Sequence, residues 1–175
     1  GFGAALKAMI DLDLTIEEVD ALTGPAIGRA KSATFRTADI AGVDVAAKVA
    51  ENLYAAVQTD PQRELFRVPD FMKEMVKRGL LGEKAGAGFY KKVGADILTL
   101  DRKTLEYRPR QKPKLASLDA TATSPDPLAR LAQAMAGQDK AAQFLWRVLA
   151  GEGLIPRRAH LAALEELLSR SIGLA

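Results

Sequence analysis

A glycine-rich segment around one lysine is the part of this sequence best suited to contact a ligand. Three glycines surround Lys84 between Gly82 and Gly88, and Phe89-Tyr90 follow directly. Because glycine permits positive φ and close backbone approach, a tight backbone crossing is the plainer interpretation. The Lys84 ammonium could also meet an anionic cofactor held by a neighbouring domain. The segment lacks the order Gly-x-Gly-x-x-Gly and follows a predicted helix, so it does not indicate a nucleotide fold of its own.

Other residue types that commonly carry chemistry are scarce. His160 is the only histidine, and no acidic residue stands at ligand spacing from it, so neither a metal site nor the commonest general base is predicted. The chain has no cysteine, which excludes disulfides and thiol catalysis. We assign Glu17-Glu18 to helix capping and Glu165-Glu166 to a solvated helix face. The sequence therefore predicts no catalytic residue and no metal ligand.

Composition and charge exclude several classes of protein. The 175 residues are about half apolar and about a quarter charged, with a net charge of +3. No apolar run approaches the roughly 20 residues of a membrane helix, and no signal pattern opens the sequence, so we expect a cytoplasmic location. The basic stretch from Arg102 to Lys114 leaves nucleic-acid binding open. A solvated hairpin and linker is the preferred interpretation, because the aromatic residues are few and do not alternate with the basic ones.

The elements that must position the glycine segment are mostly helices. Thr15 and Glu18 form a capping box, and the helix that they start is stopped by Gly24-Pro25, since a residue before proline disfavours helix. Ser32 is the expected cap of a later helix. Further helices are predicted over residues 35–41, 44–57, 61–65 and 70–78. A short strand at Phe89-Tyr90 and a hairpin that pairs residues 97–100 with 104–107 are also predicted.

Apolar spacing indicates which helix faces pack. A stripe at four-residue spacing runs along one face of the helix over 44–57: Val45, Val49, Leu53 and Val57. A Pro- and Ser-rich linker is predicted over 111–127. Three more helical patterns follow it, namely Leu128, Leu131 and Met135; Phe144, Leu145, Val148 and Leu149; and Leu161, Leu164, Leu167 and Leu168. These apolar faces need a surface to pack on, either on the first unit or on another chain. The alternative function is therefore a stand-alone helical interaction module without a catalytic role.

The motifs together resemble the C-terminal domain of the 3-hydroxyacyl-CoA dehydrogenases, in the bacterial multidomain form of fatty-acid β-oxidation. The likeness is carried by the glycine segment before Phe89-Tyr90, by the Gly24-Pro25 turn and by residues 31–39. It divides the chain into the helical domain with its hairpin over 1–110, the linker over 111–127, and a helical extension over 128–175 that looks like part of a second, degenerate copy. In the shorter members of this family an aromatic–acidic pair follows the Gly-Pro turn, whereas Ala26-Ile27 follow Gly24-Pro25 here. The resemblance therefore does not imply which acyl-chain length the enzyme prefers.

The resemblance implies an all-α helical bundle, like the C-terminal domain of 6-phosphogluconate dehydrogenase, with a short β-hairpin insertion. It implies oxidation of L-3-hydroxyacyl-CoA to 3-ketoacyl-CoA by NAD. In the family, an N-terminal nucleotide-binding domain of the same chain holds NAD and supplies a His–Glu pair, while the helical domain closes the acyl-CoA cleft and forms most of a homodimer contact.

By motif position, Lys84 matches the family lysine that approaches NAD. Gly24 and Pro25 match the turn near the acyl end of the cleft, although a simple helix stop explains them equally well. The sequence opens inside a helix at Gly1 without a cap. We therefore expect the chain to be part of a longer enzyme and to be inactive alone.

Overall fold

The computed structural model describes residues 1–151, which form a mostly helical domain with a small antiparallel sheet. Five helices precede the sheet: α1 (Phe2–Asp11), α2 (Ile16–Thr23), α3 (Phe35–Ala41), α4 (Val43–Ala56) and α5 (Asp70–Lys77). The strands are β1 (Tyr90–Val93), β2 (Asp96–Leu100) and β3 (Tyr107–Pro109). Three helices follow: α6 (Ala116–Asp119), α7 (Pro127–Met135) and α8 (Lys140–Gly151). The helical fold class with a short β insertion is confirmed, whereas His160 and the last predicted helix lie outside the described residues.

The helix starts show which of the predicted caps are made by residues next to the helix. The capping box of α2 is present: the Thr15 hydroxyl accepts from the Glu18 amide at 3.3 Å, and the Glu18 carboxylate accepts from the Thr15 amide at 2.8 Å. The expected Ser32 cap of α3 is wrong. The first amides of α3 donate to the carboxylate of Asp20 in α2 instead, so this helix is capped by a residue distant in sequence.

The sheet is a three-stranded meander in the order β1-β2-β3. Tyr90 pairs with Thr99, and Leu100 pairs with Tyr107. The second hairpin strand was predicted to start at residue 104, which is wrong, because residues 101–106 form the turn. The Asp101 carboxylate accepts from the Lys103 amide at 2.8 Å, and the Leu105 amide donates to the Asp101 carbonyl. Those amides are consequently withdrawn from strand pairing.

One core joins the early helices, the sheet and α8. The rings of Phe35 and Phe89 lie 4.6 Å apart between centroids. Phe144 of α8 is fully buried in the same core, and α8 packs against α1. The later helices therefore pack on the first unit. Leu128 is 64% exposed, so the first unit does not cover it, and its packing on another chain stays a prediction. Leu115 of the predicted linker is buried, while the proposed domain boundaries at 110 and 127 stay predictions.

The predicted apolar stripe on α4 is not buried by the described residues. Val49 is 52% exposed, and Val45 and Leu53 are also exposed, whereas Val43 and Ala47 form the inner face of α4. Val45, Val49 and Leu53 line a cavity of about 500 Å³, which is also lined by Gly1 and Phe2 at the start of α1 and by Leu65 and Phe66. We call this cavity the apolar groove.

Candidate functional site

The glycine segment crosses α3 at contact distance. A Cβ atom added at Gly82 would lie 2.2 Å from the Asp39 carbonyl oxygen, and one added at Gly88 would lie 2.1 Å from the Asp39 carboxylate. Gly86 differs, because its Cβ would meet nothing within 4 Å and its φ of 73° is left-handed. The interpretation of the segment as a tight crossing is therefore confirmed at Gly82 and Gly88.

The Asp39 carboxylate fixes the strand that follows the crossing. It is 1% exposed and accepts from the Phe89 amide at 2.8 Å and from the Tyr90 amide at 2.9 Å. Burial raises the pKa of Asp39 to about 6, and the two amide hydrogen bonds oppose that rise. At pH 7 Asp39 is consequently an ionised group with both oxygens occupied by backbone donors.

A second carboxylate, Asp20, joins α2, α3 and the sheet. It accepts from the Phe35 amide at 2.7 Å and from the Tyr90 hydroxyl at 2.8 Å, besides two further amides of α3. Burial raises the pKa of Asp20. Burial and the neighbouring Asp20 charge together raise the pKa of Tyr90, so the phenol stays protonated and donates. Asp20 and Asp39, which we call the carboxylate pair, hold the glycine segment against the helices.

Lys84 lies at the margin of the apolar groove and is paired with Asp44. Its Nζ is 2.6 Å from Asp44 Oδ1 and 2.7 Å from Oδ2. This contact holds the pKa of Asp44 below its usual range. The Lys84 Nζ and a methyl group of Val45 both lie close to Gly42, and Val45 lines the groove. The lysine side chain is 49% exposed, so an external anion can reach it.

The Gly24-Pro25 turn lies at a second cavity, which Lys84 does not line. The Gly24 carbonyl accepts from the amides of residues 27 and 29, and a Cβ added there would lie 3.3 Å from the Ala33 Cβ. Pro25 lines a cavity of about 570 Å³, together with Gly82 and Gly86 of the glycine segment. We call this second cavity the polar pocket. The structure thus brings Pro25 next to the glycine segment but does not place Lys84 in the same cavity.

Glu17 forms a buried ion pair at the polar pocket. It is 3% exposed and accepts two hydrogen bonds from Arg108, at 2.7 and 2.9 Å, and one from the Gln111 amide at 3.0 Å. Burial acts to raise the pKa of Glu17, but these donors outweigh it and the pKa is lowered. The assignment of Glu17 to capping is therefore wrong, because Glu18 alone closes the capping box.

Sequence reasoning missed the carboxylate pair and Asp44. One signal for Asp39 was available: it stands four positions after Phe35, so it shares the buried face of α3 and must find donors there.

Within residues 1–151, no group of three His, Cys, Asp or Glu side chains is arranged to hold a metal ion. Helices in the same range are all too short or too polar to cross a bilayer.

Comparison with known proteins relates this chain to one enzyme family. The model of the 3-hydroxyacyl-CoA dehydrogenase C-terminal domain matches residues 2–92. A probable 3-hydroxyacyl-CoA dehydrogenase of Bacillus subtilis (strain 168) is 41% identical over 148 residues, which are 85% of this chain and 19% of that protein. A second, of Deinococcus radiodurans, is 48% identical over 92 residues, which are 53% of this chain and 26% of that protein. The chain thus spans about a fifth to a quarter of these relatives, and no solved structure shows a significant match.

Proposed function

This chain belongs to the 3-hydroxyacyl-CoA dehydrogenase family through its C-terminal domain, and from that premise we propose that it forms the substrate cleft and dimer contact of an NAD-dependent enzyme. The reaction is oxidation of L-3-hydroxyacyl-CoA to 3-ketoacyl-CoA in fatty-acid β-oxidation. The observation that carries the proposal is the apolar groove with the Lys84 ammonium at its margin. Such a groove suits an acyl chain, and the ammonium suits a phosphorylated cofactor or substrate.

The described residues fit a positioning role better than a role in proton transfer. NAD, when bound, supplies the acceptor for the hydride. Lys84 is the residue of this chain that would contact it, because it is half exposed and needs only to leave Asp44. The carboxylate pair is unsuited to act as a base, since backbone amides and the Tyr90 hydroxyl already occupy its oxygens. In this proposal an N-terminal nucleotide-binding domain of the same chain holds most of NAD and supplies the base.

Gly24 and Pro25 remain candidates for substrate contact. The Gly24 carbonyl is occupied by the amides of its own turn, so Gly24 would act by shaping the backbone. Pro25 presents its ring to the polar pocket, where it could contact a part of the substrate other than the acyl chain in the apolar groove.

A homodimer is part of the same proposal. Its support is three large apolar side chains that the described residues leave exposed outside the apolar groove, namely Ile40, Val93 and Ile97. A partner subunit that covered them would remove apolar surface from water. Sedimentation of the chain over a range of concentrations should show a dimer, which Ile40→Asp weakens; a monomer at all concentrations would oppose this part of the proposal.

The cofactor contact is tested in the full-length protein with Lys84→Ala. We expect NAD to bind several-fold more weakly, because one charge-assisted contact is lost, while the melting temperature stays the same. Lys48→Ala is the matched control, since Lys48 is also exposed and ion-paired, with Glu51. Unchanged NAD affinity with a lower melting temperature would show that Lys84 is structural.

A second experiment tests whether the chain needs the rest of the enzyme. The purified 175-residue chain is assayed for NAD reduction with a 3-hydroxyacyl-CoA, and we expect no turnover. Turnover by the chain alone would overturn the proposed division of labour between the two domains.

The stand-alone interaction module is the second candidate, and the exposed face of α4 is the observation in its favour. The residues that precede Gly1 in the parent gene discriminate the two: a nucleotide-binding fingerprint supports the enzyme, and an unrelated segment supports the module. Nucleic-acid binding has less support, because Arg102 is paired with Asp13 and Arg108 with Glu17.

A further inference from the structure

The ion pair between Lys84 and Asp44 lies where the proposed cofactor contact would form, and it already occupies the ammonium. The Lys84 Nζ is 2.6 Å from Asp44 Oδ1 and 2.7 Å from Oδ2, so both oxygens of the carboxylate face one cation. Within residues 1–151, Lys84 makes no other ion pair or hydrogen bond. A phosphate group that approached this ammonium would meet a cation whose charge is already balanced.

Asp44 does not depend on Lys84 to stay in place. It stands in the first turn of α4, where the amides of a helix favour a negative charge. The Lys84 ammonium chiefly, and the Val45 amide in part, hold the pKa of Asp44 below its usual range. If the lysine moved away, the carboxylate would therefore remain ionised at the start of the helix.

The Lys84 side chain can leave this position without disturbing the core. It is 49% exposed and belongs to the short turn Glu83–Ala85. Its ammonium lies against Gly42, where an added Cβ would be 3.1 Å from the Lys84 Nζ and 2.9 Å from Asp44 Oδ1. The pair thus lies on bare backbone at the surface, and exposed ion pairs of this kind are weak.

Asp44 and a bound anion cannot both make full use of Lys84. Because charge-assisted contacts are about 2.8 Å long, two anions on one ammonium stand at most about 6 Å apart and repel each other. A phosphate group gains the full attraction of the cation only after the ammonium has left Asp44. The carboxylate therefore acts against the contact that Lys84 would make.

From this geometry we propose that Asp44 is a positioning residue that competes with the anionic cofactor for the Lys84 ammonium and lowers the affinity for that cofactor. This role of Asp44 rests on the proposed function, in which Lys84 contacts NAD. It adds to that function a residue whose removal strengthens binding. Since an exposed pair is weak, the gain should be about two- to fivefold in NAD affinity.

The test measures the dissociation constant of NAD by isothermal titration calorimetry on the full-length protein. Asp44→Asn keeps the size of the side chain and removes its charge, so we expect NAD to bind about two- to fivefold more tightly. Asp44→Glu keeps the charge and should stay within about twofold of the wild type. Glu51→Gln is the matched control, since it breaks the exposed pair with Lys48 on the same helix and should leave NAD affinity unchanged.

A double variant shows whether Asp44 acts through the lysine. Asp44→Asn/Lys84→Ala should bind NAD as weakly as Lys84→Ala alone, because no ammonium is left to release. The gain from Asp44→Asn should also shrink in high salt, which screens the ion pair. Asp44→Ser, a second uncharged residue suited to a helix start, should behave as Asp44→Asn does, so the test does not depend on the folding of one variant.

The competing role of Asp44 is overturned if Lys84→Ala weakens NAD binding while Asp44→Asn leaves it unchanged or weakens it; the proposed function then stands. It is also overturned if Asp44→Asn tightens binding equally with and without Lys84, since Asp44 would then repel NAD directly. If Lys84→Ala leaves NAD affinity unchanged, the proposed cofactor contact fails, and the role of Asp44 fails with it.

Discussion

The buried carboxylate of Asp39 gives the most quantitative prediction. Burial raises its pKa to about 6 from the ordinary 3.8. Between these pH values the folded chain keeps a proton that the unfolded chain has released. Asp39 therefore favours the fold most below about pH 4, and this contribution is lost as the pH rises through about 6. At about 1.4 kcal/mol for each pH unit, the loss amounts to about 3 kcal/mol.

The variant Asp39→Asn isolates this effect, because asparagine has nearly the same size and does not titrate. Urea unfolding of both proteins between about pH 4 and pH 7 gives the difference in their free energies of unfolding. We expect the stability of the wild type relative to the variant to fall by about 2–3 kcal/mol over that range. Asp119→Asn, which changes an exposed carboxylate of α6, is the matched control. A flat or rising difference for Asp39→Asn would refute the reasoning from burial.

Three further predictions concern packing. Arg108→Ala leaves the buried Glu17 carboxylate without its cation, so the free energy of unfolding in urea at pH 7 should fall by about 3 kcal/mol. This difference should shrink at low pH, because Glu17 then takes up a proton. A fall of less than about 1 kcal/mol at pH 7 would contradict the buried pair. Gly88→Ala should lower the melting temperature far more than Gly86→Ala, because only the first methyl group meets another atom; equal losses would show that the crossing can relax. Val49→Ser should change the free energy of unfolding by less than about 0.5 kcal/mol while reducing the binding of a hydrophobic dye to the apolar groove. A fall in the free energy of unfolding as large as that for a substituted core residue would mean that the groove is closed.

The local features of the fold were predictable from the sequence, and the long-range contacts were not. The capping box of α2 and the end of the same helix at Gly24-Pro25 depend on residues close together in sequence, so their spacing encodes them. Glu17 shows the limit of this reasoning. A capping role beside Glu18 was the nearest explanation, yet the partner of Glu17 is Arg108, which stands 91 residues later.

The candidate site shows the same division. The glycine segment was recognised as a crossing because glycine types reveal close approach, but nothing in the spacing named Asp39 as the residue crossed. Helical periodicity identified the apolar stripe on α4, although periodicity cannot tell whether another element covers a face. The structure therefore adds chiefly the partners of these residues, which are Asp44 for Lys84 and Asp20 for Tyr90. It also shows that no other described element covers Val49.

The carboxylate pair also bears on how the domain is made. Asp39 is joined to an amide 50 residues later, and Asp20 to a hydroxyl 70 residues later. During synthesis, α2 and α3 emerge from the ribosome well before Tyr90. The Asp20 carboxylate can already accept from the amides at the start of α3, but until Phe89 and Tyr90 arrive the Asp39 carboxylate has only water in place of their amides. The helices can form and contact each other early, but the face of α3 that carries Asp39 stays open until the strand arrives. A nascent chain that stalls before Phe89 would consequently expose core residues of its helices, and chaperones and proteases would recognise it as incompletely folded.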